Sequence, residues 1–399
     1  MWDDRDVKTK GDELSGVRID FVVGGGIAAI EGPRTIRELR RFGAEVRPVF
    51  SPHASQFISA LTYEWASKEK PLLELSGSAE HLSRADLVVV APATLDLLAK
   101  SSLGLADSAA STLIQSVLGR KPVFFVPSMH ESLRESPSYL EHREKLSRLK
   151  NVFFVDGKNE EGKWKNAEPI EFAQRLIHLY RRSKLLNPKR VLITVGGTRA
   201  ALDDVRYLGN HSSGRTGFKI AEAFYRRGHE VEIFVGSVEE ALPVFSESEN
   251  FRYKRVRTIG EMSASLKETK APDVFVHAAA VLDFEPEVIS EQKLRSVEPW
   301  SLKLKPTPKL MDQISWPQTL TIGFKLESRQ SAESMQRIVR EWAKLHAVDY
   351  VVANSLENVR PDSYQAAIYS ANSDQFEEVR SREALASALV EISERLTKI

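Results

Sequence analysis

The residues best suited to bind phosphate follow a short β-prone run near the middle of the chain. The glycine pair Gly196–Gly197 ends that run, and Ser212, Ser213 and Gly214 stand where a helix should begin. Serine is a favourable N-cap residue, and the free amides at a helix N-terminus bind phosphate. The spacing therefore predicts a βαβ unit with a phosphate-binding loop.

Two residues of the loop between Gly197 and Ser212 have side chains that can bind charged or polar groups. The guanidinium of Arg206 can pair with a phosphate or a carboxylate, and the carboxamide of Asn210 both donates and accepts hydrogen bonds. The simplest alternative is an ordinary polar loop of a doubly wound fold. A dinucleotide site is disfavoured because no G-x-G-x-x-G follows the strand, and the next strand closes with Val235 and Gly236 rather than an acidic residue.

Strands and helices must alternate to position these residues. The apolar pattern predicts strands at 17–23, 45–50, 87–91, 122–126, 151–155, 191–195, 231–235, 273–280, 319–324, 350–354, 366–370 and 376–379. It predicts helices at 27–42, 103–118, 170–186, 217–228, 331–345 and 382–396. This alternation indicates the α/β class, with parallel sheets covered on both faces and ligands at the carboxyl ends of the strands.

The domain boundary is predicted at Asn187-Pro188, because this pair favours a break. The chain then divides into a flexible arm, 1–16, a first domain, 17–187, and a second domain, 188–399. A length of 399 residues suits two or three domains.

Composition excludes several classes of protein. The net charge of +1 argues against a nucleic-acid surface, and no apolar run is long enough to span a membrane. The first sixteen residues are polar and lack the core of a signal peptide, so a cytoplasmic protein is expected. The sequence contains 0 cysteines, which excludes disulfides, thiolate metal sites and a cysteine nucleophile.

The amino-acid sequence of the central stretch resembles that of a known ligase family. The pieces GGTR, D-x-V-R-Y, Asn210 and SSG are similar to the phosphopantothenate–cysteine ligase domain of coenzyme A biosynthesis proteins. The family's A-A-A-V-x-D element corresponds to a segment ending at Asp283, and its GFxxET element to GFKLES, which contains Phe324. Its mobile K-x-K-K loop corresponds to Lys293, Leu294, Arg295 and Ser296, so the last lysine is lost.

The resemblance assigns roles to these residues. It implies that CTP, with ATP as the alternative, activates a carboxylate with the help of Mg²⁺, and that cysteine is the amine. Asn210 would hold the acyl intermediate, and Lys293 and Arg206 would act on charged groups. Nucleotide binding falls to Ser212, Ser213, Gly214, Asp283 and Phe324, while no residue is assigned as a metal ligand.

The first half resembles the flavin-dependent phosphopantothenoylcysteine decarboxylases, which implies bound FMN. The matching pieces include GGGIAA at 24–29, SPHASQFIS at 51–59, ADLVVVAPAT at 85–94 and VPSM at 126–129. The expected flavin site is formed by Gly25, Gly26, Ser51, Pro92, Ala93 and Thr94. Glycine turns of this kind also occur where no ligand binds, and this is the alternative to a flavin site. The resemblances predict two doubly wound domains, a flavodoxin-like flavin domain followed by a Rossmann-like ligase domain.

Several departures from the decarboxylase family fall on its chemistry. The segment around the candidate base His81 is about one helical turn too short, and His130 stands after Met129 where the family has asparagine. Asp96 replaces another asparagine, and the lid cysteine is missing. His130 and Met129 are the candidate substrate contacts. These departures put the decarboxylase reaction, but not the ligase reaction, in doubt.

Three functional hypotheses remain open. The first is a two-domain enzyme of coenzyme A synthesis that acts on 4'-phosphopantothenate and cysteine. Its flavin half is either active or only a flavin-binding or oligomerising platform. The second is a regulatory flavoprotein, and the third, opposed by the missing fingerprint, is a nicotinamide oxidoreductase. The resemblance also implies a homo-oligomer, with dimers through the ligase domain or trimers through the flavin domain.

Overall fold

The computed structural model describes residues 3–160, 163–165, 168–239, 241, 250–293 and 300–395. For His81 and for residues 158–160 and 163–165 it describes the backbone alone. The chain forms two compact units, Met1–Lys184 and Leu185–Ile399. No helix among the described residues is long and apolar enough to cross a membrane.

The first unit is built on a parallel sheet of five strands. They are β1 (Arg18–Val23), β2 (Glu45–Phe50), β3 (Leu87–Ala93), β4 (Val123–Pro127) and β5 (Val152–Phe154), in the order β2-β1-β3-β4-β5. A separate hairpin consists of β6 (Lys158–Glu160) and β7 (Lys163–Lys165). The helices are α1 (Gly32–Arg41), α2 (Ala60–Ser67), α3 (Leu95–Leu103), α4 (Ala109–Gln115), α5 (Glu131–Arg134), α6 (Pro137–Ser147) and α7 (Pro169–Arg182).

This order is that of flavodoxin-like folds, with the topological switch between β1 and β3. Both faces of the sheet are buried, because Phe21 and Val89 pack into one apolar cluster while Val22 and Val88 pack into another. Continuous apolar strands are typical of parallel sheets covered on both sides. The flavodoxin-like prediction for the first half is confirmed.

The predicted helix 103–118 is wrong, because α3 ends at Leu103 and α4 covers only Ala109–Gln115. Gly104 ends α3 in the left-handed conformation, with φ of 79°. Ser108 then begins α4 with a capping box that it shares with Ser111. A left-handed glycine is a common helix stop, and a capping box is a strong start. The predicted helix 170–186 is also too long, since α7 ends at Arg182.

The second unit has an eight-stranded sheet. Its strands are β8 (Arg190–Val195), β11 (Glu230–Val235), β12 (Phe251–Arg255), β13 (Val274–His277), β16 (Leu320–Glu327), β17 (Tyr350–Val359), β18 (Tyr364–Ser370) and β19 (Gln375–Val379). Two small antiparallel ribbons pair β9 (Arg199–Ala201) with β10 (Tyr207–Gly209), and β14 (Phe284–Pro286) with β15 (Leu304–Pro306). The helices are α8 (Arg215–Arg226), α9 (Ile259–Glu268), α10 (Ala332–Leu345) and α11 (Arg382–Arg395).

The order of the large sheet is β12-β11-β8-β13-β16-β17-β18-β19. Its first six strands are parallel, and β18 is antiparallel to both of its neighbours, β17 and β19. Numbered along the chain, the parallel part reads 3-2-1-4-5-6, the Rossmann order, with the switch between β8 and β13. The Rossmann-like prediction is confirmed, and the antiparallel pair predicted at 366–370 and 376–379 is present. The β9–β10 hairpin was not predicted.

Candidate functional site

The turn after β8 sits at the switch point and is tied to both neighbouring strand ends. Gly197 donates to the Ser237 carbonyl over 2.8 Å, and the Ala280 amide donates to the Gly196 carbonyl over 2.8 Å. Gly196 has φ of 87°, and a Cβ there would lie 2.8 Å from the Ser237 oxygen. Only glycine fits such a left-handed, crowded position. These contacts bring the segments after β8, β11 and β13 to one point.

Asn210 is fixed on this turn by its amide nitrogen. Its Nδ2 donates to the carbonyls of Ala280 over 3.3 Å and Val281 over 3.1 Å. Carbonyl oxygens only accept, so the assignment of the amide group is unambiguous. The donor half of the side chain is therefore occupied, and Oδ1 is the half that remains for a substrate.

The start of α8 corrects one expectation. The N-cap is Gly214, with φ of 76°, and it provides no side-chain hydrogen bond, so the predicted serine N-cap is wrong. A Cβ at Gly214 would lie 2.7 Å from Val238 Cγ1, which leaves room for glycine alone. Ser213 Oγ accepts from the Arg215 amide over 3.3 Å. Ser212 lines a cleft of about 260 Å³ together with Asn210.

The packing of α8 on β8 depends on Gly217. A Cβ at this position would lie 2.5 Å from Val195 Cγ2. The absence of a side chain lets the helix approach the strand closely, which sets the position of its N-terminus at the switch point. The final glycine of the sequence motif therefore has a packing role.

Arg206 is held by its own loop. Its Nε lies 2.9 Å from Asp203 Oδ2, and the Asp203 side chain is fully buried. Asp203 Oδ1 also accepts from the amides of Val205 and Arg206. The sequence left Arg206 available for a phosphate or carboxylate, whereas in the structure it already pairs with one carboxylate.

The segment that ends at Asp283 contacts the segment that contains Lys305 and Lys309. Asp283 pairs with Lys309, and Lys305 lies 3.4 Å from Glu285 across the β14–β15 ribbon. Lys293 is exposed, and its predicted companions Leu294, Arg295 and Ser296 lie outside the described residues. Phe324 follows Gly323, which pairs with His277 at the end of β13. The structure thus joins Asn210, Asp283 and Lys309 through one turn.

Two histidines lie under this turn and were missed from the sequence. Thr194 Oγ1 is 2.7 Å from His277 Nδ1 and also accepts from the Ala279 amide over 3.3 Å. Burial, and secondarily the nearby His346, lower the pKa of His277 to about 4. His346 Nδ1 lies 2.8 Å from Asp312 Oδ1. His277 is therefore neutral at pH 7, and no sequence motif distinguished it.

The switch point of the first unit offers a second candidate site. The ends of β1 and β3 approach so closely that a Cβ at Gly24 would lie 2.1 Å from the Pro92 carbonyl. A Cβ at Gly25 would lie 2.6 Å from His53 Cβ, whereas the nearest atom to one at Gly26 would be Thr94 Cγ2 at 3.8 Å. Gly26 thus has space beside a partly exposed backbone, as a flat ring or a phosphate requires.

The other predicted flavin residues surround this crevice. Ser51 is buried directly after β2, and Ala93 is buried at the end of β3. Thr94 caps α3, its hydroxyl accepting from the Leu97 amide over 3.3 Å. These groups fit a flavin phosphate and ring at the switch point.

The residues predicted to take part in decarboxylation are less clearly positioned for catalysis. Met129 packs against the core, while His130 is exposed and is the N-cap of the short α5 without a side-chain hydrogen bond. His81 ends a 3₁₀ helix, Ala79–His81, and its side chain is not described. Asp96 pairs with Lys100 over 3.2 Å, so its charge is offset within α3.

Metal ligands are not clustered in the described part of the chain. No three His, Asp or Glu side chains there are placed to hold a metal ion. A Mg²⁺ ion bound by one or two carboxylates and substrate phosphates does not need such a cluster. Asp283, two residues after the Val281 carbonyl that Asn210 contacts, is one carboxylate that could take part.

Comparison with known proteins identifies the family. Residues 186–396 match the family described as DNA/pantothenate metabolism flavoprotein C-terminal domain, and residues 7–177 match the flavoprotein family. The chain is 35% identical over 361 residues to the coenzyme A biosynthesis bifunctional protein CoaBC of Thermococcus kodakarensis, covering 88% of each chain. It is 29% identical over 397 residues to the CoaBC protein of Methanocaldococcus jannaschii, covering 98% of this chain and 96% of that one.

A solved structure is similar to part of the chain. The DNA/pantothenate metabolism flavoprotein from Streptococcus pneumoniae matches with a TM-score of 0.46 and 24% identity, covering 52% of this chain and 99% of that one. The two family matches and the two full-length relatives confirm the resemblance found in the sequence. This chain belongs to the family of coenzyme A biosynthesis bifunctional proteins.

Proposed function

We propose that the second unit joins 4'-phosphopantothenate to cysteine with CTP, through an acyl-cytidylate. The observation that carries the proposal is the fixed Asn210, held by the Ala280 and Val281 carbonyls at the switch point. It shares a cleft with Ser212, just before the start of α8. Membership of the coenzyme A biosynthesis family supports the substrate class.

The first step activates a carboxylate. The substrate carboxylate attacks the α-phosphorus of CTP, forms the acyl-cytidylate and releases pyrophosphate. Several negative charges meet at this point, and preorganised amides and cations lower the cost of bringing them together. The amides at the start of α8 and the exposed Lys293 are the groups for this task. Mg²⁺, when bound with the nucleotide, would neutralise phosphate charge.

The second step transfers the acyl group to cysteine. The cysteine amine attacks the acyl carbon, loses a proton and displaces CMP. Asn210 Oδ1 faces away from the two carbonyls that hold Nδ2, so it is an acceptor for an N–H or O–H of the bound groups. Because the side chain is fixed at both carbonyls, it can position the intermediate without further ordering.

The first unit is proposed to bind FMN at the crevice beside Gly26, Ser51 and Thr94. When bound, FMN would supply the oxidation of a substrate thiol. The chain's own residues support the rest of a decarboxylase reaction poorly, because His130 is exposed and the sequence contains 0 cysteines. Loss of one positioned acid or base costs ~10²–10⁴-fold in rate. This half is therefore proposed to be a weak decarboxylase.

The cytoplasmic location and the homo-oligomer also remain predictions.

The decisive experiment is product analysis. The purified chain is incubated with 4'-phosphopantothenate, cysteine, CTP and Mg²⁺, and the products are identified by mass spectrometry, with each component omitted in turn. Formation of the cysteine amide only in the complete mixture supports the ligase. Absence of the amide with both CTP and ATP would refute it.

A parallel experiment tests the first unit. Phosphopantothenoylcysteine is supplied anaerobically, and flavin absorbance and products are followed together. Slow or absent phosphopantetheine formation is expected. Turnover as fast as the ligase reaction would contradict the proposed weakness, and absence of bound flavin would contradict the FMN site.

A further inference from the structure

Arg199 is a partly buried cation with an unsatisfied hydrogen-bond donor. Its Nε atom is buried and makes no hydrogen bond, and no ion pair to its guanidinium is formed within the described residues. A buried donor left unsatisfied is costly, the more so when it is charged. Native structures rarely keep such a group unless water, a ligand or a function accounts for it.

The backbone and the ring of Tyr207 fix the position of Arg199. Its amide donates to the Arg257 carbonyl over 2.8 Å, and it pairs with Gly209 across the β9–β10 hairpin. The guanidinium carbon lies 4.0 Å from the centroid of the Tyr207 ring. A guanidinium stacked on an aromatic ring keeps its in-plane N–H groups available, and these match the geometry of phosphate or carboxylate. The stacked pair is therefore a rigid anion-binding edge.

This edge lines the same cleft as the candidate ligase residues. The cleft of about 260 Å³ is bordered by Arg199, Tyr207, Asn210 and Ser212. Its other titratable groups are His211 and Glu239, which lie 3.6 Å from each other and are largely exposed. The acidic side chain of the cleft thus faces His211, and no described carboxylate neutralises Arg199.

The start of α8 lies beside this cleft, because a Cβ at Gly214 would lie 2.7 Å from Val238, which lines it. This helix of 12 residues begins at Gly214, which caps none of its first-turn amides with a side chain. Such a terminus attracts anions, and Arg199 adds an independent positive charge that forms no ion pair within the described residues. A phosphate carries a charge of about −1.5 to −2 and offers more acceptor oxygens than a carboxylate.

We infer that Arg199 binds a phosphate group of a ligase substrate, held in place for this by Tyr207. The inference rests on the proposed function, because the ligase reaction supplies the ligands. Two of them carry phosphate, namely CTP and 4'-phosphopantothenate. Arg199 touches the bound group directly, whereas Tyr207 is a positioning residue that keeps the guanidinium plane in the cleft.

The test compares Arg199→Gln with Arg257→Gln. Arg257 is exposed, and its carbonyl accepts from the Arg199 amide, so its substitution removes one positive charge from the same corner. Binding of 4'-phosphopantothenate, pantothenate, Mg-CTP and cytidine to the full chain is measured by calorimetry. Arg199→Gln should weaken one phosphate ligand about 10–100-fold, as expected for loss of a charge-assisted contact. Arg257→Gln should change it less than about threefold.

The pattern of losses identifies the source of the phosphate. Weaker 4'-phosphopantothenate with unchanged Mg-CTP assigns the phosphate of the acyl substrate. Weaker Mg-CTP with unchanged cytidine assigns the triphosphate. Arg199→Lys, which keeps the charge but not the planar fork, should recover part of the affinity. Tyr207→Leu should lower affinity for the same ligand while leaving the other unchanged.

Other results would overturn the inference. Two results would show that Arg199 does not bind phosphate. One is an equal loss of affinity in Arg199→Gln and Arg257→Gln. The other is an equal loss of affinity for pantothenate and 4'-phosphopantothenate in Arg199→Gln. Weaker cytidine binding together with a lower melting temperature would show a structural role. If the wild-type chain makes no amide but the phosphate-specific loss is still seen, the proposed function fails while phosphate binding by Arg199 is still shown.

Discussion

Replacing Asn210 with aspartate should separate the two steps of the proposed ligase reaction. The side chain keeps its shape, but an oxygen now lies where Nδ2 donates to the carbonyls of Ala280 over 3.3 Å and Val281 over 3.1 Å. Two hydrogen bonds become two repulsive oxygen contacts. The carboxylate must rotate away, and it adds a negative charge beside an anionic acyl nucleotide.

The expected size follows from these contacts. Each neutral hydrogen bond contributes about 0.5–1.5 kcal/mol, so losing two costs about 1–3 kcal/mol of positioning energy. Since 1.4 kcal/mol is a factor of ten, transfer to cysteine should slow by about 5–150-fold. In the proposed reaction, activation depends on the α8 amides and Lys293, which the substitution leaves in place, so pyrophosphate release should change only a few-fold.

The assay follows both steps in one sample. The variant is mixed with CTP, Mg²⁺ and 4'-phosphopantothenate, and pyrophosphate and the acyl-cytidylate are quantified before and after cysteine is added. The acyl-cytidylate should accumulate and decay slowly. Asp204→Asn, on the exposed surface of the same loop, is the control for a changed charge and should behave like the wild type.

Two outcomes would refute this reasoning. Amide formation at the wild-type rate would show that Asn210 has no role in the ligase reaction. Equal loss of both steps with an unchanged melting temperature would show that Asn210 acts during activation instead.

Three further predictions follow from other parts of the second unit. Lys293→Gln should slow pyrophosphate release because the cation proposed to act on the phosphates is lost. The exposed Lys303→Gln is the control, and an unchanged rate for Lys293→Gln would count against its role. Gly217→Ala should lower the free energy of unfolding by about 1–3 kcal/mol, because its Cβ would lie 2.5 Å from Val195 Cγ2. Gly260→Ala, with only Thr258 Oγ1 near at 3.9 Å, should instead stabilise α9 by about 0.4–1 kcal/mol. Chemical denaturation checks both, and equal effects would refute the packing argument. His277 is buried, which lowers its pKa to about 4 from 6.5. The unfolded chain therefore takes up a proton between pH 6.5 and 4 that the folded chain refuses, and stability falls as pH falls through that window. His277→Gln should flatten this part of the melting-temperature profile, and an unchanged profile would contradict the assignment.

Most strands of the two parallel sheets could be predicted from the sequence, because continuous apolar runs and glycine turns have strong local signals. The order of the strands was not predicted, and the edge strand β12 was missed because four of its five residues are exposed. The division at Gly104 was missed because Ser108 begins a new helix within an apolar stretch that also suits one long helix. The N-cap at Gly214 was missed because its crowding against Val238 is a contact between segments distant in the chain.

The candidate ligase site was predictable as a set of motifs but not as an arrangement. The sequence placed Asn210 and Asp283 in the same family pattern. It did not show that Asn210 donates to the carbonyls of Ala280 and Val281, or that Asp283 pairs with Lys309. That no carboxylate of the described residues pairs with Arg199 likewise depends on contacts between segments distant in the chain, which only the folded chain reveals.

Pyrophosphate release from CTP tests the central claim most directly. The full chain is incubated with CTP and Mg²⁺, without cysteine, in the presence or absence of 4'-phosphopantothenate. Stoichiometric pyrophosphate and an acyl-cytidylate should form only when 4'-phosphopantothenate is present, and cysteine should then convert the intermediate to the amide. No pyrophosphate from either CTP or ATP, or release that is independent of 4'-phosphopantothenate, would contradict the ligase function.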